Sequence, residues 1–139
     1  MSLSLTLSPL DNRYYQDIMP ILPFFSYVAW IKYRVQVEIC YLNMLNQEIN
    51  KDKIDPEKMI SWINILNDFG EREVDEIYEI EQTTHHDIKA IEIWLRRKYK
   101  ELKICDEKYV EFIHFGLTSQ DVNSVAFSLQ LKDCIETYL

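Results

Sequence analysis

Glycine and proline are scarce in this chain, with only two glycines, Gly70 and Gly116, and four prolines in 139 residues. Sheets joined by tight turns draw heavily on both residues, and no stretch here alternates polar and apolar for long, so helices are expected in place of strands. Positive charge is short too. Fifteen Lys and Arg face 23 Asp and Glu, a net charge of −8. Phosphate-backbone binding needs a basic face, so nucleic acid is not expected as a partner. An anionic small molecule held by a few local donors remains compatible with that balance. The cysteines Cys40, Cys105 and Cys134 are odd in number and lack CxxC spacing, which fits free thiols in a reducing compartment, with the cytoplasm as the expected location. Nothing near Met1 joins a basic segment to an apolar one, and no uncharged run approaches the length of a membrane span, so neither a secretory signal nor a membrane partner is expected.

What is present is apolar surface, 47% of the residues, enough for a real core in one domain of ordinary size. After a turn at "LSPLDNRYY", the spacing predicts a helix from near Phe24 to about Asn46. Its apolar surface is Phe24, Tyr27, Val28, Ile31, Val35, Cys40 and Leu42, and Lys32, Arg34 and Glu38 are expected on the wet side. The next helix is bracketed by Asp55 as N-cap, Pro56 at its first position and Gly70 as the C′ residue, with Met59, Ile63, Leu66 and Phe69 buried. In the acidic run that follows, Val74, Ile77 and Ile80 mark one buried stripe. A fourth helix is expected from "TTHHDIKA" to about Tyr99 through Ile88, Ile91 and Leu95. It would end in Arg96, Arg97 and Lys98, where positive charge complements the macrodipole. From Thr118 to Leu139 a last helix carries Val122, Val125, Ala126, Leu129, Ile135 and Tyr138. It has no terminating residue, and its apolar circumference calls for neighbours outside this sequence.

Two helix starts look alike. In "TTHHD", Thr84 can cap while Asp87, three residues on, reaches back to the capping amide; "TSQD" repeats the arrangement with Thr118 and Asp121. Such motifs usually do no more than begin a helix. Here the first carries His85 and His86, and the second follows His114 and Gly116. Helix N-termini offer unpaired N–H groups and a positive dipole end, so the two together could line a site for a phosphate or carboxylate. A metal site is disfavoured, because adjacent histidines point about 100° apart and no third ligand falls at a zinc-like interval. A serine hydrolase is disfavoured as well, since no G-x-S-x-G elbow is present.

"SPLDNRY", "TTHHDIKAIE" and "EFIHFGLTSQDVNSVA", in this order and at these separations, resemble the N-terminal part of the adenylosuccinate lyase family, within the fumarase/aspartase superfamily. The resemblance implies an all-α fold in which residues 1–117 form a small helical N-terminal domain. Residues 118–139 would then begin the first long helix of a central bundle, here truncated. It implies elimination of fumarate from adenylosuccinate to give AMP, and from the related succinylcarboxamide ribotide in purine biosynthesis. No cofactor is implied, and the family's assembly is a homotetramer. Carried over by position, Arg13 and Tyr14 match a pair contacting the nucleotide, with Asn12 where the family has glycine. His85, His86 and Asp87 match a substrate-binding triplet, and Thr118 and Ser119 a pair that hydrogen-bonds the substrate. His114 matches a histidine near the site, where it and His86 would support the chemistry. No segment up to Leu139 resembles the family's general-acid histidine or its serine base, so residues 1–139 alone are expected to be inactive. Two alternatives stand beside this: a non-catalytic helical binding or assembly module, and another lyase of the superfamily acting on a smaller substrate.

Overall fold

Ser26 decides where the long helix begins. The computed structural model describes residues 8–50, 64–103 and 110–139. Within it a 3-10 turn (Pro9–Asp11), helix α1 (Tyr15–Ile18), a second 3-10 turn (Met19–Ile21) and helix α2 (Leu22–Phe25) lead to Ser26. There the backbone is extended, with φ −67° and ψ 164°. The Ser26 hydroxyl accepts the Ala29 N–H at 3.1 Å, so helix α3 (Tyr27–Asn50) starts three residues later than the apolar spacing predicts.

The wet side expected for α3 is also wrong. Arg34 and Glu38 are 5% and 1% exposed, whereas Cys40 and Tyr27, expected inside, lie exposed. The physical reason is that α3 is covered on several sides. It packs against α4 (Glu71–Thr84), α5 (Asp87–Leu102) and α6 (Ser119–Tyr138), and Ile31, Val35, Ile39 and Leu42 are all buried. A helix enclosed in this way has no broad solvent face on which to place charges.

Asp55, Pro56, Met59 and Ile63 lie outside the described residues. Gly70 is not a left-handed C′ residue. Its backbone is extended (φ −151°), and the Glu73 carboxylate takes its N–H at 2.9 Å, so Gly70 opens α4. Val74, Ile77 and Ile80 are buried along α4 as the periodicity predicts. Helices α4 and α5 form a hairpin, held by Trp94 Nε1–H donating to Glu76 at 2.8 Å and by Lys98 on the same carboxylate at 2.9 Å. Phe69 meets the Trp94 ring edge-on at 5.6 Å. Because α5 runs on to Leu102, the basic cluster does not sit at its end. Arg96 pairs with Glu92 and Glu111, and Lys98 with Glu76 and Glu101, so lateral carboxylates hold these cations in place of the macrodipole.

Helix α6 lies along α3, burying Val122 and Ala126, and Tyr33 donates to Asp133 at 2.8 Å. The N-terminal stretch is tied to the same helix: Gln130 Nε2–H reaches the Phe24 carbonyl at 2.7 Å and the Tyr138 hydroxyl the Pro20 carbonyl at 2.6 Å. Val125, Phe127, Leu131 and Ile135 remain exposed, so apolar residues do occupy much of the circumference of α6. All regular structure among the described residues is helical, and none of these helices is long and apolar enough to cross a membrane. Cys40 and Cys134 are free thiols; Cys105 lies outside the described residues.

Candidate functional site

The link between α4 and α5 is two residues long, and both are histidines. His85 takes a left-handed conformation (φ 51°) and closes α4 through its N–H on the Glu81 carbonyl at 2.8 Å. His86 is extended, and its ring, not Thr84, caps α5: Nδ1 accepts the Lys89 N–H at 3.1 Å. Thr84 belongs to the last turn of α4, where its hydroxyl donates to the His86 carbonyl at 3.2 Å. Asp87 does not reach back to Thr84 either. Its Oδ1 accepts the Ile88 N–H at 2.8 Å, and its Oδ2 pairs at 2.8 Å with Arg34, a guanidinium taken out of water on α3 that requires a counter-charge. Burial lowers the pKa of Arg34, opposed by Asp87.

Accepting a backbone N–H at Nδ1 fixes the tautomer. In the neutral ring the proton sits on Nε2, which faces Ser119 Oγ at 3.4 Å. This long contact brings the two helix starts together.

At the second start the expected cap is present. Thr118 Oγ1 accepts the Asp121 N–H at 3.3 Å, while Asp121 Oδ2 accepts the Thr118 N–H at 2.7 Å and its hydroxyl at 2.8 Å. The Thr118 backbone N–H, then its hydroxyl, hold the Asp121 carboxyl below the usual range. The loop before it takes two left-handed residues, His114 (φ 62°) and Gly116 (φ 75°). His114 Nδ1 sits 2.6 Å from Glu38 Oε1, and the Tyr41 hydroxyl donates to the Phe115 carbonyl at 2.9 Å. Burial pushes the Glu38 carboxyl up, while His114 pulls it down.

Of the residues singled out in sequence, His86, Asp87, Thr118 and Ser119 gather here, with His114 one loop away. His85 is exposed and serves as the connector. Arg13 and Tyr14 are exposed in the N-terminal stretch, where the guanidinium lies 5.3 Å over the ring of Tyr14, and they do not join the contacts around His86. Arg34 and Glu38 were missed as site neighbours. The available signal was the crowding of apolar residues on every side of them, from Ile31 to Leu42. No group of three or more His, Cys, Asp or Glu among the described residues is placed to hold a metal ion.

The fold is thus all-α, with two helix starts meeting at a histidine and a serine. Comparison with known proteins narrows this. Over 96% of its length the chain is 39% identical to adenylosuccinate lyase of Dictyostelium discoideum, and over 93% it is 36% identical to that of Legionella pneumophila strain Corby. Adenylosuccinate lyase of Escherichia coli strain K12 is 36% identical over 91% of the chain. The resemblance to the adenylosuccinate lyase family therefore holds along nearly the entire chain, which spans 28–29% of the length of these relatives. No protein-family profile matches it.

Proposed function

We propose that this chain supplies the substrate-binding wall of an adenylosuccinate lyase, a C–N lyase that eliminates fumarate from adenylosuccinate and from succinylcarboxamide ribotide. One observation carries the reading: His86 Nε2 and Ser119 Oγ, from two different helix starts, face each other at 3.4 Å. The ring proton of His86, the Ser119 hydroxyl and the α6 amides ahead of Asp121 then present donors to one place, the arrangement that a phosphate or carboxylate needs. Thr118 and Asp121 serve by fixing that turn, and Arg13 and Tyr14 reach the nucleotide from the N-terminal stretch. His85 stands at the margin of this wall.

Elimination needs a base for the carbon-bound proton and an acid for the departing nitrogen. In this reading neither lies within residues 1–139, which bind and orient. Residues 1–117 form a small helical domain and residues 118–139 open a bundle helix. The exposed apolar residues of α6 meet further helices of a homotetramer in the cytoplasm, and no cofactor takes part. Adenylosuccinate titrated into the chain should shift the NMR signals of His86 and Ser119, while a fumarate-release assay gives no turnover. Undisturbed His86 and Ser119 signals at millimolar ligand would remove the site assignment, and turnover by the chain would remove the division of labour.

A further inference from the structure

Helix α3 carries two buried charges one turn apart, and each reaches a different helix start. Arg34 is stacked 4.1 Å over the Trp30 ring and pairs with Asp87, the first residue of α5 beside the His86 cap. Glu38, its side chain fully buried, meets His114 in the loop that delivers Thr118. The second Glu38 oxygen and Arg34 Nε find no hydrogen-bond partner among the described residues, so the contacts with His114 and Asp87 carry much of the compensation for these buried charges. A buried charge resists displacement from its counter-charge, because losing it strands the charge in apolar surroundings. Residues i and i+4 of a helix lie about 6 Å apart along its axis, so α3 is a rigid spacer between the two contacts.

We propose that Arg34 and Glu38 are positioning residues of the candidate site, holding the His86 and Thr118 helix starts at the separation where His86 Nε2 faces Ser119 Oγ. Neither touches the place where an anion would sit, and both act through the backbone they anchor. The geometric part stands by itself; its consequence for substrate rests on the function proposed above.

The test uses the ligand-free chain, which has three histidines to assign. An NOE between the His86 ring and Ser119 should be present in the unaltered chain, in Glu38→Gln, which still accepts from His114, and in Arg34→Lys. It should disappear in Glu38→Met and Arg34→Met, while the methyl signals of Ile91 and Val122 stay in place. If either Met variant fails to fold, Asp87→Ala and His114→Asn cut the same two links from their more exposed ends and should lose the NOE likewise. Persistence of the NOE when either link is cut overturns the proposal. So does its loss together with the core methyl signals, which would mark a general packing role. Adenylosuccinate binding should weaken about tenfold in the variants that lose the contact, the loss of roughly one hydrogen bond. If the NOE responds as described but the unaltered chain does not bind adenylosuccinate, the positioning role stands and the substrate reading falls.

Discussion

The helix starts at residues 84–87 and 118–121 share a sequence pattern but not a structure. At Thr118 the threonine and the acidic residue three positions on satisfy each other, and the start is built from its own four residues. At Thr84 the same letters give a different result: α4 runs through Thr84, Asp87 opens α5 with one oxygen on Arg34 and the other on the Ile88 N–H, and the ring of His86 takes the Lys89 N–H. A capping motif describes what the local chain can do in isolation. A buried charge from another helix adds a partner that the local motif does not contain, and an unpaired buried guanidinium costs more than the roughly 1 kcal/mol of a cap. The consequence at the candidate site is that His86 has two assigned nitrogens, one holding its own helix and one facing Ser119.

Four measurements sharpen or break this contrast. The largest effect is expected at His86. His86→Asn keeps a good capping acceptor but cannot reach Ser119, so its melting temperature should be unchanged while adenylosuccinate binding weakens by about ten- to a hundredfold, or about 1.5–3 kcal/mol. If binding is unaffected, His86 is a cap and no more. Gly116→Ala should come next. The nearest atom to the added methyl is the Tyr41 hydroxyl at 3.8 Å, so there is room, and the cost is that of φ 75° alone, about 1–2 kcal/mol in urea denaturation. An unchanged midpoint would mean that the loop relaxes to another conformation.

Thr118→Ala should lose about 1 kcal/mol by the same method, as expected for a side-chain cap, whereas Thr84→Ala should lose less because its hydroxyl makes only long contacts with the His86 carbonyl and N–H, at 3.2 and 3.4 Å. Equal losses would erase the distinction between the two starts. The smallest effect is a pH response. Asp121 has a lowered pKa in the folded chain, so its contribution is fully present above the ordinary Asp value and is lost as pH falls through the lower folded value. The Thr118 amide shift should therefore titrate with a midpoint below ~3.9. A midpoint at or above that value would show that Asp121 does not hold the Thr118 amide in solution.

Much of the molecule was legible in advance, for identifiable reasons. Val74, Ile77 and Ile80 were readable because α4 has one buried face and an acidic remainder, so periodicity alone separates inside from outside. The Thr118 box was readable because all its partners lie within four residues. Arg34 and Glu38 were not. Residue type placed them outside, whereas the enclosure of α3 by three other helices places them inside, and enclosure is a property of the assembled fold. Gly70 was misread for a related reason: a glycine between two helices can end one or begin the next, and the Glu73 carboxylate settles which.

The sequence by itself determined the helical class, the apolar stripes of α4 and α5, the cap at Thr118 and the family resemblance that its three motifs carry. These depend on contacts within one or two turns, or on letters in order. Tertiary structure alone decided that His86 caps α5, that Asp87 pairs across to Arg34, that Glu38 holds His114, and that Ser119 lies 3.4 Å from His86. Each of these contacts joins groups on separate elements, apart from the His86 cap, which forms because α4 runs through Thr84 and leaves His86 as the N-cap of α5. Their energies depend on which charges the packing has removed from water, and local sequence does not specify that.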